Sequence, residues 1–359
     1  MNKVYIIVLN YNRWQDTIEC LESVLRNDYT NYQVIVIDND SSNNSMKYIK
    51  DWAEGKLDIW INPKHPLKDL SFPPIKKPIP YVYYTREEAE KGGNPKLENT
   101  LKYKLPDNIT TKEPLILIQS EKNKGYAAGN NIGIKYALKK NDFEYIWILN
   151  NDTVIRKDSL SKLISCMENK GKEYGMFGTV LLYYDKPNLV QALGGKFSKL
   201  FSTGKHLYAN RHLNEVLSKN IKFDYIIGAS LVLRKEFLLK VGMLSEDYFI
   251  YYEEIDLAFR AKKKNYKMFI CKNSIVFHKE SVTIKEKEKK INSFSDYYRI
   301  RNRIKISKKY NRIYLPFLYI GLFISFLKRI KRRQYKLALN IIKIIFEENK
   351  KEKNEENKK

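Results

Sequence analysis

Short runs of consecutive apolar residues, each stopping on an Asn or Asp, recur through the first half of the chain. Val4 to Leu9 leads to Asn10, Val34 to Ile37 to Asp38, and Tyr145 to Leu149 to Asn150 and Asp152. Leu115 to Ile118 is a further run. Such runs read as strands buried on both faces. Between the first two, Ile18, Leu21, Val24 and Leu25 recur at helical spacing, with Asp16 or Thr17 near the helix start. Strand, helix, strand at this spacing predicts a βαβ unit and parallel strands. The pattern further predicts helices ending near Ala53 and Leu138, and another over residues 157–169. It predicts strands over 176–184, 225–233 and 267–277, with a hairpin or loop at 191–208. A helix to Val241 stops at Gly242, and the acidic stretch after Asp247 becomes helical in its latter half.

Residues 62–114 break the pattern. Pro63, Pro66, Pro73, Pro74, Pro78 and Pro80 exclude regular helix from the first half. Tyr81 to Tyr84 could form a strand. Thr85 and Glu88 have capping-box spacing, opening a short helix that Gly92 and Gly93 end. The segment reads as an excursion from the sheet, either a lid or acceptor surface or a solvated decoration. Near the other end, residues 296–303 read as a helix. Residues 313–327 are apolar and lie between Lys308-Lys309 and Lys328, Arg329, Lys331, Arg332 and Arg333. That run is shorter than the roughly 20 residues a span needs, and Pro316 and Gly321 interrupt it. It suits a helix on an anionic leaflet, or one packed on the core. From Glu347 the chain reads as a disordered, charged tail.

Charge changes the picture. The formal net charge is +25 over 359 residues, which calls for an anionic partner. No nucleic-acid motif appears, and most of the excess lies away from the strand tips, so nucleic acid is not expected. The three cysteines Cys20, Cys166 and Cys271 are far apart and lack metal spacing. They argue against a disulfide framework and for a reducing compartment. Met1-Asn2-Lys3 opens on an apolar run too short for a signal sequence. No glycine-rich dinucleotide loop or Walker motif follows the first strand.

The candidate chemistry sits at the run ends. Asn150 and Asp152 emerge on one face at the end of a buried strand, where α/β sheets bind ligands. Their hard oxygens suit Mg²⁺ or Mn²⁺ bridging phosphates; a helix-opening turn is the competing reading. Gly125, Gly129 and Gly133 permit close approach of a ligand or of a neighbouring element. Glu253, Glu254 and Asp256 follow an aromatic run, which would raise a carboxylate pKa toward that of a useful base. Asp256 and Arg260 are spaced for an i,i+4 ion pair. His278 follows a buried strand and so points from a fixed position.

In this order the pieces resemble glycosyltransferase family 2, in its rhamnosyltransferase-like and galactofuranosyltransferase-like branch. The motifs are Val8-Leu9-Asn10-Tyr11-Asn12, Val36-Ile37-Asp38-Asn39-Asp40, the Asn123 to Asn131 segment, Leu149-Asn150-Asn151-Asp152-Thr153, Gly228-Ala229-Ser230, Tyr252-Glu253-Glu254-Ile255-Asp256-Leu257 and His278. The likeness covers residues 3–281 apart from 62–114.

The resemblance implies a GT-A fold: an α/β, mainly parallel mixed sheet flanked by helices, with a basic helical C-terminal extension. It implies a transferase domain over 1–284, an extension over 285–346 and a tail over 347–359. It places Asn10, Asn12, Asp38, Asn123, Gly125, Asn130 and Asn150 at the nucleotide. Asp38 would accept the N3–H of uracil or thymine. Asp152 and His278 would hold Mn²⁺ or Mg²⁺, with Asn150 in place of the family's first Asp. Glu254 would be the general base beside Glu253, one methylene longer than the family's Asp. Gly228, Ala229, Asp256 and Arg260 would lie near the site, at the acceptor or as structural support. The expected reaction is inverting transfer from a UDP- or dTDP-sugar, dTDP-rhamnose among them, to a glycan or lipid-linked glycan. The expected location is the cytoplasmic face of the plasma membrane, held through residues 308–333. A sugar-1-phosphate nucleotidyltransferase would need a basic Gly-rich loop after the first strand, which is missing. A transferase-like protein without activity and a basic binding module are the remaining alternatives.

Overall fold

A computed structural model describes residues 1–279 and 293–356. The chain opens as β1 (Val4–Asn10), α1 (Trp14–Val24), β2 (Tyr32–Asp38) and α2 (Ser45–Ala53). It continues with β3 (Tyr81–Thr85), α3 (Arg86–Glu90), α4 (Pro95–Leu101), β4 (Leu115–Gln119) and α5 (Tyr126–Lys140). Then come β5 (Tyr145–Asn150), β6 (Thr153–Ile155), α6 (Ser159–Glu168), β7 (Tyr174–Tyr183) and β8 (Val190–Ala192). A β9 (Gly195–Ser198) and β10 (Thr203–His206) hairpin precedes α7 (Leu213–Val216), β11 (Ser230–Arg234) and α8 (Lys235–Val241). The sheet closes with α9 (Glu253–Lys263) and β12 (Lys267–His278). Three helices follow: α10 (Ser293–Tyr310), α11 (Leu315–Lys331) and α12 (Tyr335–Glu356).

The main sheet has the order β3-β4-β2-β1-β5-β11-β7-β12-β6. The pairs from β3 through β5 are parallel, whereas β11 runs antiparallel to both β5 and β7. Continuous apolar runs dictate this arrangement, because parallel strands need both faces covered. Val4, Ile6 and Val8 enter one core layer, and Tyr5 and Ile7 the other. Register then aligns the run ends. Asn10 pairs with Asp38, Asp38 with Gln119, and Asn150 sits opposite Leu9.

Several expectations change. Part of the proline-rich excursion belongs to the sheet: β3 is its edge strand, parallel to β4. The capping box at Thr85 and Glu88 forms as expected. Cys166 and Cys271 form a disulfide between α6 and β12, contrary to the spacing argument. Tertiary packing brings the two together across 105 residues, a distance at which spacing carries no signal. The hydrophobic run near 313–327 is not interrupted. Pro316 lies in the first turn of α11, where it has no N–H to lose, and Gly321 packs against Phe201. Residues Arg312–Lys331 form a helical stretch of 20 residues whose most apolar 18-residue window has a mean hydropathy of 1.5, long and apolar enough to cross a membrane. The tail expected to be disordered from Glu347 is helical through Glu356, with Glu348 buried against Arg301 and Lys308. The expected boundary at 284/285 lies outside the described residues.

Candidate functional site

Three strand ends meet at one edge of the sheet. Asp38 Oδ1 accepts from Asn10 Nδ2 and from Ser41 Oγ, both at 2.6 Å. Asp38 Oδ2 accepts from the Ser41 amide at 3.1 Å and from Gln119 Nε2 at 3.0 Å. Asp38 is thus buried with both oxygens engaged, and Gln119 occupies the edge a pyrimidine N3–H would use. Asn12 adopts a left-handed backbone and accepts from the Ser42 amide at 2.9 Å, closing the loop after β1 over the loop after β2. Asn123 accepts from the Gly125 amide at 2.9 Å and from Asn39 at 3.0 Å.

The glycine stretch is used mainly for packing. Gly125 has φ +96°, and a Cβ there would sit 2.2 Å from the Phe249 carbonyl oxygen. Gly129 and Gly133 bring α5 onto Leu9 and Ile7 of β1. Asn130 is buried within α5, its amide donating to the Tyr126 carbonyl, so the structure draws it into the scaffold. Tyr126 instead reaches the strand tip. Its hydroxyl lies 3.1 Å from Asn150 Oδ1 and donates to the Gly228 carbonyl at 2.9 Å. The Asn150 amide donates to the Ala229 carbonyl at 3.0 Å. Burial and the charges of Glu253, Glu254 and Asp152 together raise the Tyr126 pKa well above its ordinary value, so these groups share one neighbourhood.

Asp152 and His278 meet as the sequence suggests. His278 Nε2 lies 3.1 Å from Asp152 Oδ1, and His278 Nδ1 lies 2.7 Å from Gln191 Oε1. An amide oxygen only accepts, so Nδ1 carries the proton. Nε2 then faces a carboxylate as a second acceptor unless a proton or a metal ion lies between them. Burial alone would raise the Asp152 pKa, but the His278 ring and the Lys279 charge outweigh it and hold the carboxyl below its usual range. One carboxylate and one imidazole suit a divalent ion whose other ligands are phosphate oxygens and water. Among the described residues no third His, Cys, Asp or Glu joins them.

The acidic pair opens α9. The turn before it is bent by left-handed Phe249, Tyr251 and Tyr252, at φ 64°, 68° and 78°. Such conformations persist only where packing over-determines them. Here Asn302 from α10 supplies the clamp, its Nδ2 lying 3.0, 2.8 and 2.9 Å from the carbonyls of Tyr248, Ile250 and Tyr251. Burial raises the pKa of both Glu253 and Glu254, and the Glu254 charge raises that of Glu253 further. Glu253 Oε2 is buried with no hydrogen-bond partner among the described residues. Glu254 instead lines a cavity of about 490 Å³ bounded by the β9–β10 hairpin, α10 and α11.

Asp256 and Arg260 form the expected ion pair at 2.7 Å, facing away from that cavity. Arg260 also donates to the Val241 and Met243 carbonyls. Asp256 is fully buried and accepts further bonds from Tyr248, Lys309 and Tyr310. This pair therefore joins α9 to α10, the structural role among the two expected for it.

A mainly parallel mixed sheet flanked by helices, with its acids gathered at the strand ends, is the α/β arrangement expected of a nucleotide-sugar transferase. The chain belongs to glycosyltransferase family 2: the family model described as "Glycosyl transferase family group 2" matches residues 145–344, and "Glycosyl transferase family 2" matches residues 5–64. It is similar to the low-salt glycan biosynthesis hexosyltransferase Agl10 of Haloferax volcanii, 25% identical over 234 residues, covering 62% of this chain and 72% of the relative. It is similar also to the dTDP-rhamnosyl transferase RfbF of Shigella flexneri, 26% identical over 221 residues, covering 59% and 70%. Among solved structures, GalNAc-T7 with UDP, GalNAc and Mn²⁺ overlaps at TM-score 0.49 and 12% identity over 77% of this chain. The chain spans 44% of that structure. The mannosyltransferase PcManGT from Pyrobaculum calidifontis, with GDP-Man and Mn²⁺, overlaps at TM-score 0.49 and 12% identity, covering 97% and 87%. The assignment rests on the sequence family.

Proposed function

We propose that the protein transfers a sugar, with inversion, from a UDP- or dTDP-sugar to a hydroxyl of a glycan or lipid-linked glycan at the cytoplasmic membrane face. The observation that carries this reading is the placement of Glu254. It lines a large cavity, while Asp38, Asn150 and Asp152 stand at the sheet edge where a nucleotide would lie. The name of the Shigella flexneri relative favours dTDP-rhamnose as donor.

Glu254 takes the proton of the acceptor hydroxyl, and burial fits it for that task by raising its pKa. The acceptor oxygen bonds to the anomeric carbon as the bond from that carbon to the diphosphate oxygen breaks on the opposite face. The nucleoside diphosphate leaves with the electron pair. Asp152 and His278 would hold a divalent ion, Mn²⁺ suiting the mixed oxygen and nitrogen set, which when bound neutralises charge on the diphosphate. Gln191 fixes the His278 ring, and Tyr126 holds Asn150 in place. Asp38 reads the base once Gln119 yields its edge.

Calorimetric titration with UDP, dTDP, GDP and CDP, with and without Mn²⁺, tests the donor site. The expected result is Mn²⁺-dependent binding of UDP or dTDP, lost in Asp152→Ala. Binding of no nucleotide under either condition would sink the reading.

A further inference from the structure

We infer that the cavity beside Glu254 is a subsite for a phosphate or diphosphate group of a lipid-linked acceptor, held by Arg299 and Arg303. The inference rests on the reading of Glu254 as the base. The cavity is lined by Tyr252 and Glu254 and by Asp296, Arg299, Arg303, Leu322 and Arg329 of the C-terminal helices.

The three arginines are not equivalent. Arg329 is already neutralised, with paired hydrogen bonds of 2.8 and 2.7 Å to Asp296. Arg303 has no carboxylate partner among the described residues. Its guanidinium donates twice to the Phe201 carbonyl, at 3.1 and 2.9 Å. Burial holds its pKa below the usual value and neighbouring Arg329 pushes in the same direction, against the opposing influence of Tyr252 and of Asp296, whose oxygens are already paired with Arg329. Arg299 lies 4.9 Å from the Tyr251 ring centroid, also without a carboxylate among the described residues. Two cations therefore face a half-buried space with donors to spare, and an anion there would satisfy both charge and hydrogen bonding. Planar guanidinium groups match phosphate oxygens in paired contacts.

The far wall indicates what carries the phosphate. Leu322 belongs to α11, whose other side exposes Phe317, Ile320, Phe323, Ile324 and Leu327. That opposite face would rest on the membrane, which brings the anionic head of a lipid-linked acceptor within reach of the cavity on the inner side of α11, with the sugar hydroxyl directed at Glu254. A free inorganic anion would use the arginines but leave this apolar surface unused.

The test uses the full chain with saturating UDP or dTDP and Mn²⁺, so that the donor site is filled. Farnesyl diphosphate, farnesol and inorganic pyrophosphate are titrated by calorimetry into the native protein, R299A/R303A and R303K. Farnesyl diphosphate should bind at least tenfold more tightly than farnesol or pyrophosphate. R299A/R303A should weaken it by roughly tenfold or more, and R303K, which keeps the charge, by less. Nucleotide affinity should stay unchanged in R303K, and a fall in melting temperature there would report only the lost contacts to the Phe201 carbonyl. Equal binding of pyrophosphate and farnesyl diphosphate would overturn the lipid assignment. Farnesyl diphosphate affinity indifferent to both variants would overturn the site. If no nucleotide binds yet farnesyl diphosphate still depends on the arginines, the lipid-diphosphate site stands and the transferase mechanism fails.

Discussion

The side-chain amide of Asn302 lies 2.9 Å from the carbonyl of Tyr251, and that contact ties α10 to the turn that presents Glu253 and Glu254. Asn302 is fully buried and serves three carbonyls of one bent turn. Removing it takes the side-chain donor from the Ile250 and Tyr251 carbonyls, while the Tyr248 carbonyl keeps the Ile250 amide, at a cost of about 1–3 kcal/mol. Asn302→Ala should therefore lower the melting temperature. It should also lower kcat more than it raises the KM for the nucleotide sugar, because Asp38, Asp152 and His278 stand on other elements and the turn meets the donor side only where the Phe249 carbonyl accepts from the Tyr126 amide. A uniform loss in both parameters would assign Asn302 to general stability alone.

His278 is positioned from two sides, by Gln191 at Nδ1 and by Asp152 at Nε2. Partners that orient a metal-ligating imidazole typically matter by roughly 10- to 100-fold in metal affinity. Gln191→Ala should weaken Mn²⁺-dependent nucleotide binding by about that factor, and His278→Ala by more. In the absence of Mn²⁺ both variants should match the native protein. Calorimetry at fixed nucleotide and varied Mn²⁺ reads this directly. Equal losses with and without metal would remove His278 from the ligand set.

The pH dependence of turnover follows from burial at α9. An ordinary glutamate titrates near about 4.3, and burial raises Glu254 above that. A base works when deprotonated, so kcat/KM should rise with pH through a midpoint above that of an exposed glutamate. Glu254→Gln should remove that acid limb and lower kcat by about 10²- to 10⁴-fold. Nucleotide affinity should be retained. A profile with its midpoint near the ordinary glutamate value would contradict the burial argument.

Much of the sheet is legible in the sequence because its strands are continuous apolar runs, and their polar terminators mark the site edge. What escapes is set by tertiary context. Tyr81 to Tyr84 has strand composition, but only pairing with β4 makes it part of the main sheet. Three residues, Thr153 to Ile155, are too few for periodicity, although they bring the Asp152 tip against β12. Gln119, Gln191 and Asn302 are ordinary polar residues in sequence; each gains its role from a partner at least 50 residues away. Most of the buried face of α12 lies within the expected helical extension, where Ala338, Ile341 and Ile344 recur at helical spacing; its last turns, from Glu347, escape because their charged composition reads as a disordered tail.

The C-terminal helices offer an apolar face with basic neighbours, and their attachment decides how membrane contact must be tested. Lys309 and Tyr310 both bond to Asp256, so deleting the chain after Arg303 would uncover a fully buried carboxylate. Burial alone would raise the Asp256 pKa, yet Lys309 and Arg260 outweigh it and lower it. Breaking such a buried pair costs about 3–5 kcal/mol, and truncation would confuse unfolding with loss of membrane contact. Substitution of exposed residues avoids this. Phe317, Phe323 and Leu327 are 48%, 59% and 48% exposed, and Lys328, Lys331 and Arg332 lie close by in sequence. The triple variant Phe317→Ser, Phe323→Ser, Leu327→Ser should fold normally and lose at least tenfold in partitioning to anionic vesicles, since each large apolar side chain contributes up to about 1.5–3 kcal/mol. Native binding should weaken as salt rises, because exposed cations are screened within about 10 Å at 0.1 M. Sedimentation with phosphatidylglycerol vesicles measures both effects, and unchanged partitioning of the triple variant would assign this face to another partner.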